Sequence, residues 1–258
     1  MIHFVGAGCG AADLITVRGM RLLEEADCVI YAGSLVSKDL LKYCKNDALI
    51  YDSAYLNLDQ VMEIMLEEEA AGHVTVRLHT GDPSLYGAIG EQMRVLDDRC
   101  IAYDVTPGVT AAFGAAASLG LEMTLPGITQ TVIFTRVEGR TPMPEKESIK
   151  ALSQAQATMA VYLSATRVEE LASQLIAGGY KDTTPVAICF KVTWPDEKIW
   201  ITTVGQMAAL VKENELTLTT LFIVGDVIGA KDFDKSKLYD AAFSTCFRAG
   251  TQERQGRL

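Results

Sequence analysis

The sequence contains no C-x-x-C pair among its six cysteines (Cys9, Cys28, Cys44, Cys100, Cys189, Cys246) and only three histidines. No zinc-ligand spacing can be written from them, and reduced, mostly buried thiols are expected. Long apolar runs are also missing. The longest, around Val109 to Leu121, is short and broken by Gly114 and Gly120, so it cannot span a bilayer. Basic charge is scarce: 23 Lys and Arg stand against 33 Asp and Glu, giving a net charge of −10 and a pI near 4.8. Nucleic acid and anionic membrane are thereby excluded as main partners, and an anionic ligand must find a local basic patch. The start, Met1-Ile2-His3-Phe4-Val5, is strand-like and has no basic n-region or cleavage site, which makes the cytoplasm the expected compartment.

What is present is a chain of 258 residues, 49% hydrophobic and 22% charged, a balance that folds rather than remaining disordered. Through the first half, short apolar runs alternate with helical patterns: Ile2–Val5, a helix near 16–26, Cys28–Tyr31, a helix near 36–44, a helix near 58–71, Val74–Leu78, a helix over 85–96, Ile101–Val105, and a small-residue helix from Thr110. This order predicts parallel pairing with helices on the faces. Pro126-Gly127 ends the run and marks a linker. The second half reads as strands at 131–135, 159–163, 186–190, 198–202 and 220–224, with helices near 145–156, 168–177 and 204–214. The two strands around Trp194-Pro195-Asp196 form a hairpin, which makes the second sheet mixed. The expected fold class is α/β: two α/β domains over 1–124 and 125–258, the first mainly parallel and the second mixed. The polar tail after Lys231, with Arg248, Arg254 and Arg257, is expected to be mobile in part or to pack on a neighbouring subunit.

Glycine-rich turns follow three strands of the first half: Gly6 to Gly10, Thr80 to Pro83, and Pro107 to Thr110. In a parallel sheet all strand C-termini lie on one edge, where ligands bind and where glycine lets main chain approach them closely. The first turn formally satisfies the dinucleotide fingerprint G-x-G-x-x-[GA]. However, the second strand leads into Ala32-Gly33 without an acid for a ribose, Asp27 stands at its wrong end, and the first helix begins only after Asp13-Leu14-Ile15. In the second turn Asp82 is held between Gly81 and Pro83, which reads as a turn whose acid caps the next helix.

The segments Gly6-Ala7-Gly8-Cys9-Gly10, Tyr31-Ala32-Gly33-Ser34-Leu35-Val36, His79-Thr80-Gly81-Asp82-Pro83, Pro107-Gly108-Val109-Thr110, Thr135-Arg136-Val137-Glu138-Gly139-Arg140-Thr141-Pro142 and Lys191-Val192-Thr193-Trp194-Pro195-Asp196-Glu197-Lys198 resemble the tetrapyrrole methyltransferases of corrin biosynthesis. Within them they resemble the precorrin-4 / cobalt-precorrin-4 C11-methyltransferases, from Ile2 to about Val227. The resemblance implies a tetrapyrrole methylase-like fold, a homodimer, S-adenosylmethionine as cofactor and precorrin-4 or cobalt-precorrin-4 as substrate, with no metal of the protein's own. It places the cofactor on Thr80, Gly81, Asp82 and Leu85, on Thr110 and Ala111, and on Leu163 and Ala187, with Cys9 where the family turn usually has proline.

The implied reaction is attack by an electron-rich ring carbon on a sulfonium methyl group, which asks chiefly for alignment and exclusion of water. A proton must also leave the macrocycle. Related uroporphyrinogen methyltransferases place an acid directly after the tyrosine of this loop, whereas Ala32 stands there in this chain, so the polar candidates are Tyr31, Ser34 and Tyr86. Arg136 and Arg140 either clamp substrate carboxylates, as arginine forks suit, or stand as loop charges paired with Glu138. His79, Lys191 and Trp194 are further substrate candidates, each with a structural alternative. A nicotinamide-dependent oxidoreductase and a non-catalytic nucleotide-binding regulator are the competing readings. Binding of NAD separates out the first, and cofactor binding without turnover the second.

Overall fold

Strand and helix alternate along the first half because each short apolar run must bury both of its faces. The computed structural model describes residues 1–33 and 35–251. Within it, β1 (Ile2–Gly6), β2 (Cys28–Tyr31), β3 (Leu49–Asp52), β4 (Thr75–His79) and β5 (Tyr103–Thr106) form a five-stranded sheet in the order β3-β2-β4-β1-β5. Every ladder in it is parallel. The register pairs Gly6 with His79, Val5 with Thr106, and Tyr31 with both Leu78 and Asp52. The carboxyl ends of all five strands therefore stand level on one edge.

Helices α1 (Val17–Glu25), α2 (Leu58–Ala70), α3 (Ile89–Asp97) and α4 (Ala111–Leu119) complete this part. Alternate strand residues point to opposite faces. Val5, Val29, Tyr31, Val76 and Leu78 pack beneath Leu23 of α1, whereas Ile2, Phe4, Cys28 and Ile30 pack beneath Val61, Met62 and Met65 of α2 and Leu96 of α3. Each fully buried aliphatic or aromatic side chain contributes about 1.5–3 kcal/mol. A one-residue slip would exchange the two sets, so the clusters fix the register. The helix after β1 lies on one face and the helix after β4 on the other, although β1 and β4 are neighbours. Adjacent strands that send their chains to opposite faces open a crevice at their carboxyl ends, where ligands bind in open α/β sheets.

The second half supplies β6 (Val132–Arg136), α5 (Ile149–Ser153), β7 (Thr158–Tyr162), α6 (Val168–Ala177), β8 (Pro185–Phe190), β9 (Lys198–Thr203), α7 (Met207–Glu213) and β10 (Thr220–Val224). Its sheet runs β6-β7-β10-β8-β9. β6 and β7 are parallel, and β7 and β10 antiparallel, so the sheet is mixed as expected. The chain divides into two compact units, one of residues Met1–Gly120 with Cys189–Trp200 and Leu216–Leu221, the other of the remaining described chain.

Several elements differ from the sequence reading. The segment near 36–44 forms a 3-10 turn at Lys38–Tyr43, started by Ser37 accepting from the Asp39 amide at 3.3 Å, and not an α-helix. The helix expected over 85–96 begins only at Ile89, because Tyr86 and Ala88 adopt left-handed backbone (φ 59° and 50°) that no α-helix accommodates. β3 was not anticipated. Leu49 and Ile50 of this edge strand are exposed, so its pattern carries little apolar alternation. Of the tail arginines, Arg248 donates to the carbonyls of Leu238, Asp240 and Phe243, while Arg254 and Arg257 lie outside the described residues.

Candidate functional site

The glycine turns after β4, β1 and β5 come from three neighbouring strands, and they meet. The Gly8 amide donates to the Gly81 carbonyl at 3.2 Å, the Gly81 amide returns a bond to the Gly8 carbonyl at 2.8 Å, and the Ala7 amide donates to His79 at 2.7 Å. Gly8 and Gly81 hold φ of +79° and +59°, left-handed backbone that glycine adopts without cost. A methyl group on Gly6 would stand 2.5 Å from both Cα and N of Gly108 and 2.7 Å from the Gly81 carbonyl oxygen. The three turns thus touch main chain to main chain. Ala111, with Thr110 before it as N-cap, starts α4 directly from the third turn, and Leu85 donates its amide to the Asp82 carbonyl.

Asp82 ties two of these turns together. Its Oδ2 accepts the Gly108 amide at 2.9 Å, and its Oδ1 accepts the Ser84 amide at 2.9 Å and the Ser84 hydroxyl at 2.5 Å. Burial alone would raise its pKa, but these hydrogen bonds outweigh it and hold the carboxyl below the ordinary carboxylate range. The acid in this turn is therefore a cross-tie between the second and third turns. His79, just before it, is buried beside Phe4, with ring centroids 6.0 Å apart. Burial, helped by the Arg77 charge, pushes its pKa down to about 3, so the ring is neutral near pH 7.

The loop after β2 joins the same edge. The Thr80 hydroxyl donates to the Leu35 carbonyl at 3.0 Å. Asp52, at the end of β3, accepts the Gly33 amide at 3.0 Å and the Ala54 amide at 2.9 Å through Oδ1, and a side chain at position 33 would fall on its carboxylate. The pKa of Tyr31 is raised by burial first and by the charge of Asp52 second. Asp52 was absent from the sequence reading. The only sequence signal for it is an acid closing the short run Leu49-Ile50-Tyr51. Tyr86 is exposed in left-handed backbone, and Ser34 lies outside the described residues.

The segment between β8 and β9 buttresses the first turn. Thr193 Oγ1 accepts the Ala11 amide at 3.0 Å, and a methyl on Gly10 would meet the Val192 carbonyl at 2.5 Å and the Trp194 ring. Glu197 accepts the Thr193 amide at 2.6 Å and the Ser118 hydroxyl at 2.9 Å. Trp194 is therefore packed on Gly10. Lys191 pairs with Asp196 at 2.5 Å and lies over the Phe190 and Trp194 rings. Cys9 sits buried with Sγ 3.5 Å from Thr193 Oγ1. Burial raises its pKa, which suits packing and not nucleophilic chemistry. Thr193 and Glu197 are functional supports that the sequence reading missed.

In the other unit, Leu163 ends β7 in left-handed backbone (φ 52°) with its side chain 62% exposed. A large apolar residue held in that conformation and in water is the type of local strain that collects at ligand sites. Ala187 is buried within β8. Arg136 donates to the carbonyls of Val137 at 3.3 Å and Thr141 at 3.0 Å, closing its own loop. Arg140 is exposed, and Glu138 takes the Met143 amide at 3.4 Å. Among the described residues no group of three or more His, Cys, Asp or Glu side chains is arranged to hold a metal ion.

This donor set fits S-adenosylmethionine better than a phosphate-bearing ligand. It is main chain of uncharged residues, and its one acid is spent internally. Comparison with known proteins places the chain in a family. The family model for Tetrapyrrole (Corrin/Porphyrin) Methylases matches residues 1–208. The cobalt-precorrin-4 C(11)-methyltransferase of Methanocaldococcus jannaschii is 48% identical over 247 residues, covering 96% of this chain and 95% of the relative. The precorrin-4 C(11)-methyltransferase of Mycobacterium tuberculosis is 43% identical over 242 residues, covering 93% and 96%. Among solved structures, the cobalt precorrin-4 methyltransferase CbiF superposes with a TM-score of 0.86 at 41% identity, covering 89% of this chain and 96% of that one.

Proposed function

The chain belongs to the tetrapyrrole (corrin/porphyrin) methylases, and from that membership we propose that it transfers a methyl group from S-adenosylmethionine to C11 of precorrin-4 or its cobalt form. Relatives of both names align over nearly the whole chain, so the acceptor is written for both. The observation that carries the reading is the contact of three glycine turns at the carboxyl ends of β4, β1 and β5. That arrangement brings the main chain of three turns together at one edge of the sheet, where no side chain of the glycines stands between it and a ligand.

S-adenosylmethionine supplies an electrophilic methyl group on a positively charged sulfur. The residues that hold it are, on this reading, Thr80, Gly81, Asp82 and Leu85, Thr110 and Ala111, and Leu163 and Ala187, with Cys9 packed behind the first turn. Asp82 acts indirectly, by holding the Gly108 amide and so the spacing of the turns. Orientation of donor and acceptor can supply about 7–11 kcal/mol of the barrier, which is why the site needs geometry more than a reactive side chain. Arg136 and Arg140 receive peripheral carboxylates of the macrocycle, and His79, Lys191 and Trp194 support the acceptor side through the turns they brace. The enzyme works as a homodimer in the cytoplasm.

The nicotinamide reading is not favoured, because β2 runs into Ala32 and Gly33 with no acid at its own end. Incubation with methyl-labelled S-adenosylmethionine and cobalt-precorrin-4, followed by NMR of the product, tests the proposal. Label on C11 is the expected result. Label on another ring carbon, or none in the macrocycle, overturns it.

A further inference from the structure

We propose that Asp52, at the carboxyl end of β3, accepts the proton that the macrocycle loses after methylation. The inference rests on the methyl-transfer reading, because only that chemistry creates the need. The ring carbon's electron pair forms the new carbon–carbon bond, and the carbon–sulfur bond breaks with its pair going to sulfur. The macrocycle is left with one more positive charge. Neutrality returns when a proton on the same conjugated system passes to a base, whose carboxylate becomes a carboxylic acid and later yields the proton to water.

Of the acids near this edge of the first sheet, Asp13 and Asp39 are exposed, whereas Asp82 and Asp52 are held by main-chain amides. Asp82 is committed on both oxygens to the Ser84 and Gly108 groups, so protonating it would loosen the turns themselves. Asp52 is held differently. Both of its amide donors, Gly33 and Ala54, converge on Oδ1. Glycine at 33 is what lets the carboxylate reach this loop, since any side chain there would fall on it. The group is half-buried, oriented by two amide donors, and still has acceptor capacity.

Its position also fits. β3 and β4 flank β2 in the sheet. Two strand spacings therefore put the end of β3 about 10 Å along the edge from the nearest of the donor turns, the one after β4. A small acceptor could not span that gap, but a flat macrocycle with its reacting carbon at the turns can. The loop that carries Gly33 is anchored to the donor turn by the bond from Thr80 to Leu35, so the acid and the donor site share one framework.

The test compares wild type, Asp52→Asn and Asp52→Glu in single-turnover reactions with labelled S-adenosylmethionine and cobalt-precorrin-4. Formation of S-adenosylhomocysteine and absorbance of the neutral product are followed separately. Asparagine keeps an oxygen for the Gly33 and Ala54 amides but cannot take the proton. The expected result is neutral product forming at least about 100-fold more slowly in Asp52→Asn, with partial recovery in Asp52→Glu. S-adenosylhomocysteine affinity and melting temperature stay at wild-type values. An Asp52→Asn rate within threefold of wild type overturns the proposal. So does a loss accompanied by an equal loss of S-adenosylhomocysteine affinity and melting temperature, since that marks a structural acid. Absence of methylated product from wild type overturns methyl transfer itself, which separates the two failures.

Discussion

Replacing Gly6 with alanine tests whether the three turns must touch. The new methyl group would stand 2.5 Å from Cα and N of Gly108 and 2.7 Å from the Gly81 carbonyl oxygen, whereas non-bonded carbons sit comfortably at about 3.5–4.0 Å. All three neighbours are backbone, so no side chain can rotate away, and the turns have to separate by about 1 Å. Overpacking of this kind costs about 1–3 kcal/mol, and it pulls on the paired bonds between Gly8 and Gly81. At about 2–4 °C per kcal/mol for a chain of this size, the melting temperature falls by roughly 2–12 °C. Main-chain groups displaced by that distance lose hydrogen bonds to the ligand, and a loss of about 1.4–2.8 kcal/mol weakens S-adenosylhomocysteine 10- to 100-fold. Scanning calorimetry and titration calorimetry read the two effects. Gly90→Ala is the control: nothing lies within 4 Å of that position in the first turn of α3, and alanine there stabilises by about 0.4–1 kcal/mol. If Gly6→Ala melts with wild type and binds S-adenosylhomocysteine within twofold of it, the convergence of the turns is not what makes the site.

Arg136→Ala and Arg140→Ala should each raise the KM for cobalt-precorrin-4 by about 10- to 100-fold, the range of a charge-assisted hydrogen bond, with S-adenosylhomocysteine affinity unchanged in calorimetry; equal loss of both affinities rejects the clamp. The depressed pKa of His79, about 3 against about 6.5 when unfolded, gives a stabilisation present in full above pH 6.5 and lost as pH falls towards 3. Between pH 7.5 and pH 5 it should cost roughly 2 kcal/mol, and denaturant titrations of His79→Gln should lose that part of the slope. Iodoacetamide at pH 7.5 should alkylate the exposed Cys100 and Cys246 well before the buried Cys9; mass spectrometry showing Cys9 modified first would restore it as a reactive thiol.

The elements easiest to read were those whose local pattern and tertiary role coincide. α6 and β10 fall where their apolar spacing puts them, and α4 starts at the small-residue stretch after Thr110. β3 has no signature in the sequence because an exposed edge strand needs no apolar alternation, and the late start of α3 has none because left-handed backbone at Tyr86 and Ala88 leaves no trace in residue type. The glycine turns were visible as composition, but their contact depends on strand order, which inserts β4 between β2 and β1. Asp52 depends on the same order: it meets Gly33 only because β3 pairs with β2.

Strand order also explains a division of labour along the edge. The three adjacent strands β4, β1 and β5 carry turns so close that a single methyl group would part them, and a donor held by main chain gains specificity from that rigidity. The remaining strands, β2 and β3, carry a loop whose bonds come from side chains instead: Asp52 to Gly33, Ser53 to the Tyr31 carbonyl at 3.1 Å, and Thr80 to Leu35. A donor of fixed shape suits the first half of the edge. A large acceptor that changes charge during the reaction suits the second, where polar side chains can answer that change. Substitutions at Gly6, Gly81 or Gly108 should therefore act on cofactor affinity, and substitutions at Asp52 or Tyr31 on turnover, because the two sets of residues reach the ligands through different chemistry.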